Sequence, residues 1–466
     1  MTKSIIKYFI ISFTSILLLS CSKSNHTAVT DNWKQANEIL ERIVPPTFHD
    51  KNFDITNYGA VGDGKTDCTN SFKLAIDECV KSGGGKIVVP KGTYLTGAIH
   101  LKSNVNLFLE EGSVIKFSTN PNKYLPLVFS RWEGVECMNY SSLNYAYGQE
   151  NIAITGSGIL DGQSSNENWW SWKGKEEFGW KKGLPHQKNG RDKLFEMGEN
   201  NIPVEQRIFG AGFYLRPNFI QFYNCKNILI EGVTLKDSPM WFINPVLCQS
   251  VAVKNVKIEG LGPNNDGCNP ESSKDVLIKD CYFNNGDDCI AIKSGRNNDG
   301  RRINIPSENI VIKNCEMRNG HGGVVLGSEI SGGVKNIFVE NCQMDSPNLD
   351  RAIRIKTNSV RGGVLENIFV RNLTIGEVSE AILKIDYYYE EGDAGKFAPT
   401  VNNVILENIT SKKSPFAIWI KAYDHSKVKN LIIKNSRFEN VSNDNLLENV
   451  EKLTFEDVTI NNRVIN

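Results

Sequence analysis

From about Asn104 onward the chain repeats one phrase: a polar residue, three apolar β-formers, two polar residues, then an apolar one. Asn227 heads Ile-Leu-Ile, Ser250 heads Val-Ala-Val and Asp275 heads Val-Leu-Ile. Asn309, Asn336, Asn367, Asn403, Asn430 and Lys452 head the later copies, at intervals of 22 to 36 residues. Such intervals suit one coil of a solenoid each, with loops absorbing the differences. The sixth residue after each start is Val233, Val256, Cys281, Cys315, Cys342, Leu373, Ile409, Ser436 and Val458. Cysteine alternating with Val, Leu and Ile behaves as a small buried hydrophobe, so Cys281, Cys315 and Cys342 read as an interior column. Propeller blades need about 40–50 residues, and two-residue Asn-Gly or Asp-Gly hairpins, which a sandwich favours, do not recur between the strands. The pattern therefore predicts an all-β parallel β-helix solenoid, with the recurring Asn amides laddered inside turns. Two helices, about Trp33–Ile43 and Asp67–Val80, carry apolar residues on one face and are expected to cap the N-terminal end of the stack.

The chain has 466 residues, 40% of them apolar, with 53 basic and 53 acidic side chains. That apolar share excludes disorder as the main description. The charge balance argues against nucleic acid as a partner, which needs a basic surplus. Lys3 and Lys7 precede an apolar run from Tyr8 to Leu19, too short to span a bilayer comfortably, which ends in Leu18-Leu19-Ser20-Cys21. This resembles a bacterial lipoprotein signal. Residues 1–20 are read as the signal, Cys21 as the lipid anchor, 21–50 as tether and helix, and 51–466 as one β-helix domain. An exported, lipid-anchored monomer follows, touching a membrane only through its acyl chains. Cys68 and Cys79 remain as the possible disulfide pair.

Four successive phrases in the middle of the chain depart from the repeat: Asn264-Asn265-Asp266-Gly267, Gly286-Asp287-Asp288-Cys289, Gly320-His321-Gly322 and Arg354-Ile355-Lys356. By the register they fall on successive turns, so coiling should gather them on one face. Carboxylates so gathered repel, raising at least one pKa, as acid–base cleavage of a glycoside requires. Asp287 and Asp288 can both reach the site only if one sits at a turn. Arg354 and Lys356, two apart, share a strand face and suit a substrate carboxylate. Each motif alone has a plainer reading: a solvated Asp-Asp turn, a Gly-rich loop, a salted outer strand. Three acids and a histidine also suit calcium.

In these motifs the chain resembles the polygalacturonases of glycoside hydrolase family 28, whose pattern is Asn-Thr-Asp, Gly-Asp-Asp, Gly-His-Gly and Arg-Ile-Lys on a right-handed parallel β-helix. The resemblance runs from about Asp54 through the last coils. It implies hydrolysis of α-1,4-linked galacturonic acid in pectin or an oligogalacturonide, with inversion and without cofactor or metal. Asp287 would be the general acid, Asp266 and Asp288 would activate water, and His321 would hold the protonation state. Asn264, Trp241, Arg296, Arg354 and Lys356 would bind substrate. Asn265 replaces the usual Thr with little expected consequence, and Asn244 is expected to alter a subsite. The stretch from Gln163 to Phe213 holds Trp169, Trp170, Trp172 and Trp180, whose faces suit sugar stacking, and it would wall off one end of the groove. With Arg296, Arg301, Arg302 and Arg351 nearby, this resembles the exo-acting branch, releasing galacturonic acid from the non-reducing end. The alternatives are a rhamnogalacturonan-directed galacturonidase, a pectate lyase, a non-catalytic pectin-binding lipoprotein and a structural β-helix.

Overall fold

The computed structural model describes residues 32–465. The proposed signal, Cys21 and the polar tether after it lie outside the described residues.

The repeated phrases stack as read. Ile228, Val251, Val276, Ile310, Ile337, Ile368, Val404, Leu431 and Leu453 pair in that order, every pairing parallel. All nine sit in a 23-stranded sheet that wraps the body, with sheets of six and four strands forming a further face among the described residues. The polar residue that heads a phrase makes the corner. Asn227, Asn309, Asn336 and Asn403 have φ of 53°, 59°, 58° and 57°, a left-handed conformation that Asn tolerates better than other side chains. Its amide is then spent on the coil below. Asn336 Nδ2 donates to Asn309 Oδ1 at 3.0 Å, Asn367 to Asn336 at 3.1 Å and Asn403 to Asn367 at 2.7 Å. One residue type thus supplies both the bend and the ladder.

Inside the coil, Cys281, Cys315 and Cys342 are buried between apolar neighbours. All ten described cysteines are free, Cys68 and Cys79 among them.

The two N-terminal helices part company. α2 (Thr69–Lys81) caps the first coils, burying Phe72, Ala75, Ile76 and Cys79. α1 (Asn32–Arg42) does not cover the end of the stack: it lies along the outer face of the middle coils. An apolar triplet in a strand points its first and third residues inward and its second outward. The second residues Leu229, Ala252, Val311, Phe338 and Phe369 would form an apolar outer stripe, and Ala36, Ile39 and Ile43 of α1 cover it. Arg42 closes the joint by donating to Asp275 at 2.7 Å. Residues 32–42 are therefore part of the packed body rather than a free tether.

The remaining face carries the chemistry. Its strands point one column of side chains outward: Tyr145, Gln221 and Asn244 on early coils, then Ala291, Val325, Arg354, Lys384 and Trp419. The early half is roofed by an antiparallel hairpin, Val128–Trp132 with Val135–Asn139. Gln221 accepts from Ser130 Oγ at 2.7 Å and donates to the Arg131 carbonyl at 2.8 Å. Fully buried Arg131, 3.3 Å from Glu271, pins the hairpin down.

Candidate active site

The acids come together because two asparagines fold their turns. Asn265 accepts from Gly262 N at 3.0 Å and donates to the Ser238 and Met240 carbonyls, both at 2.9 Å. The replacement of Thr thus supplies three bonds that hold the turn carrying Asp266. Asn285, in the Asn284-Asn285-Gly286 stretch that suits a turn, donates to the carbonyls of Asn265, Asp287 and Asp288 at 3.0, 2.9 and 3.0 Å. The chain bends after the strand Tyr282–Asn285, so Asp287 and Asp288 escape strand alternation: Asp287 borders the cleft and Asp288 lies buried beside it. On the next coil Gly320 has φ 142°, and a Cβ there would meet the Asp287 carbonyl at 2.3 Å. Glycine lets the coils close until His321 Nδ1 stands 3.1 Å from Asp287 Oδ1.

Arg354 and Lys356 reach the site from the following coil and hold an acid of this chain. Lys356 Nζ lies 2.6 Å from Asp288 Oδ2, and Arg354 lies 3.7 Å from Oδ1. Tyr389, absent from the sequence reading, covers both cations at 5.4 and 5.3 Å. Lys293, also unforeseen, lies 3.6 Å from Asp266, 2.9 Å from Glu329 and 4.6 Å from the Trp241 ring. Asn264 Oδ1 accepts from Lys173 at 2.8 Å and from Arg216 at 2.7 Å. Arg296 is buried on the Phe195 ring and paired with Glu329 at 3.3 Å and Glu390 at 3.4 Å. Asn264, Trp241, Arg296, Arg354 and Lys356 all border one cavity of about 740 Å³ with Asp266, Asp287 and His321. No sequence signal marks Lys293, Glu329 or Tyr389, since each lies in an otherwise ordinary strand end or loop.

Several expected neighbours lie elsewhere. Arg301 donates to the Val360 and Arg361 carbonyls. Arg302 pairs with Asp299 at 3.0 Å behind the hairpin. Asn244 is fully buried and bonded to Asn218 and Gln221, so it forms no subsite. Trp169 packs on Tyr124, Trp170 donates to the Ser238 carbonyl, and Trp172 packs on Tyr214; these three hold the insertion together. The insertion instead offers Lys173, Lys175, Phe178 and Arg191 to the cavity.

Burial, and then the charge of Asp287, push the Asp266 carboxyl up to about 8 against the pull of Lys293. Burial also opposes ionisation of Asp287, but the hydrogen bond and charge of His321, with Lys356 and Lys293 behind them, hold it below the usual carboxylate range. The same contact raises His321. In the free site Asp266 thus stays protonated at neutral pH, while the Asp287 carboxylate favours the imidazolium form of His321. Among the described residues, no three His, Cys, Asp or Glu side chains are arranged to hold a metal ion.

Comparison with known proteins agrees with this geometry. Residues 214–414, which carry all four motifs, match the family described as "Glycosyl hydrolases family 28". Residues 52–125 match "Rhamnogalacturonase A/epimerase, pectate lyase-like". The chain resembles the crystal structure of a hyperthermoactive exopolygalacturonase from Thermotoga maritima, with a TM-score of 0.90 and 47% identity, covering 92% of this chain and 96% of that one. A probable polygalacturonase of Vitis vinifera is 28% identical over 397 residues, 82% of this chain and 73% of the relative. An exo-poly-alpha-D-galacturonosidase of Dickeya chrysanthemi is 27% identical over 409 residues, 84% of this chain and 63% of the relative.

Proposed function

Because the chain belongs to glycosyl hydrolase family 28, and is a glycoside hydrolase, we propose that it cleaves α-1,4-linked galacturonic acid in pectin by an inverting mechanism from the non-reducing end. One observation carries the exo reading. The cavity that holds Asp266 and Asp287 is bordered on one side by Glu133 of the hairpin turn and by Lys173, Phe178 and Arg191 of the insertion. A chain end fits against that border; an internal stretch of polymer would have to pass through the hairpin and the 162–218 insertion.

In this mechanism the Asp287–His321 pair is the acid. A proton passes from the imidazolium 3.1 Å away to the Asp287 carboxylate and on to the glycosidic oxygen, as the bond from that oxygen to the anomeric carbon breaks. Asp288, fixed by Lys356, takes a proton from the water that attacks the anomeric carbon, and Asp266 shares that water. Asp288 Oδ1 is buried and accepts no hydrogen bond from the protein, which suits an acceptor reserved for the reaction. The Arg354 and Lys356 cations, beneath Tyr389, meet the uronate carboxylate on the leaving side. Lys173, Arg191 and Arg296 line the roofed end, where a terminal carboxylate would sit.

At the N-terminus the proposal includes export by residues 1–20 and lipidation of Cys21, with 51–466 as the catalytic domain. Because α1 is docked from Asn32, a fully extended 22–31 segment would hold the body within about 35 Å of the anchor. Cys21→Ala should then move the protein from the membrane to the soluble fraction.

Digestion of reducing-end-labelled oligogalacturonides, followed by proton NMR of the first product, tests the reaction. The expected outcome is unlabelled monomeric galacturonic acid released first as the β-anomer, and its loss in Asp287→Asn. Labelled monomer, early internal fragments or an α-product would each contradict a part of the proposal.

A further inference from the structure

The cleft column continues past the acids onto two further coils. Arg354 is in register with Lys384 and Lys384 with Trp419; one step along, Lys356 is in register with Asp386 and Asp386 with Lys421. The alternate residues Ile353, Leu383, Ile385, Ile418 and Ile420 are all buried in the core. Strand alternation therefore turns Lys384, Trp419 and Lys421 to the same side as Arg354 and Lys356. Lys384 Nζ lies 4.3 Å from the centre of the Trp419 ring. Lys421 Nζ lies 5.0 Å from the ring of Tyr388, which is 43% exposed beside Tyr389.

Building on the exo-galacturonanase reading of the site, we propose that Trp419, Lys421 and Tyr388 form subsites for two further uronate units on the leaving-group side. Each coil advances about 4.8 Å along the axis, a step comparable with one sugar unit. A chain whose terminal unit lies under the roof and whose second meets Arg354 and Lys356 would lay its third and fourth units over these coils. The charges fix the roles. Lys384 is engaged by Glu380, and Asp386 lies 3.9 Å from it, so it serves as the cationic support beneath Trp419. Lys421 has no carboxylate within ion-pair distance among the described residues, and it is the group that meets a uronate carboxylate. Asp386 is engaged by its own loop, accepting from Tyr388 N at 2.9 Å. The exposed Tyr388 ring and the half-buried Trp419 ring give sugar faces an apolar surface beside that cation.

The length dependence of kcat/KM on di-, tri-, tetra- and hexagalacturonate decides the matter, measured for the wild type, Trp419→Ala and Lys421→Gln. Wild-type kcat/KM should climb up to the tetramer and then level off. Each variant should reduce the tetramer-to-dimer ratio by about tenfold, with a thermal unfolding midpoint close to that of the wild type. A flat wild-type profile, or an equal fall on dimer and tetramer in both variants, would overturn the subsites. Failure of the wild type to cleave any galacturonide would instead overturn the parent reading. In that case calorimetric titration of tetragalacturonate still tests the subsites: binding unchanged by Lys421→Gln rejects them, and binding weakened about tenfold keeps them.

Discussion

Replacing Lys356 by Met removes one half of an ion pair that is out of water on both sides, with 7% of the lysine side chain and 1% of Asp288 exposed. Breaking such a pair leaves a buried carboxylate uncompensated, at a cost of about 3–5 kcal/mol. Arg354 remains 3.7 Å from the other oxygen, so the lower end, about 3 kcal/mol, is expected. Asp288→Asn should cost a similar amount, because it strands the lysine. The double variant buries neither charge, so its loss should fall short of the sum by about 2–3 kcal/mol. Guanidinium unfolding, followed by circular dichroism and compared at equal m-value, reads this cycle. Coiled repeats can unfold in stages, so coincident fluorescence and dichroism transitions are part of the assay. Additivity within about 0.5 kcal/mol would refute the argument, since Asp288 would then be oriented by something other than its cation. Activity should not follow stability: the double variant should be about as stable as either single variant and remain inactive, because the water loses its base.

Asp266 is raised to about 8 from about 3.9 in an unfolded chain. Between those values the folded state keeps a proton that the unfolded state has released, so stability falls as pH rises through that window. Asp266→Asn should accordingly raise the denaturation midpoint at pH 7 while lowering kcat by about a hundredfold or more; a lower midpoint at pH 7 would contradict the linkage. His321 is raised by its bond to Asp287, so its stabilising contribution is complete below about 6.5 and is lost as pH climbs through the folded value. Nitrogen NMR of the ring should show that titration dropping toward 6.5 in Asp287→Asn. At the corner ladder, Asn336 has φ 58° and bonds to coils on both sides. Asn336→Ala should cost about 3 kcal/mol and Asn336→Gly about 1 kcal/mol less, since glycine has no left-handed penalty; equal losses would mean the corner is unstrained. On α1, Ile39→Ala should destabilise by about 2–4 kcal/mol as measured by urea unfolding, whereas a loosely held leader would show no change.

The coil register was legible because it is written locally. An apolar triplet after an Asn determines which side chains enter the core and where the chain must turn, and nine such phrases leave only one way to stack. The four motifs were legible for the same reason, since their phase against that register places them on neighbouring coils. What the triplet concealed was its own middle residue: Leu229 and Phe338 read as strand formers, yet only the closed coil shows them as an outer stripe that recruits α1. The blind end of the cleft was foreseen as a long insertion, but not the hairpin whose Arg131 is buried against Glu271. Nor could spacing show that Lys356 answers Asp288, or that Lys293 stands between Asp266 and Glu329. Those pairings join coils at distances along the chain that vary with loop length, so no periodicity encodes them. Short-range alternation decides what each residue faces; which charge it meets, and hence which carboxyl keeps a proton, is decided only when the coils are stacked and water is excluded.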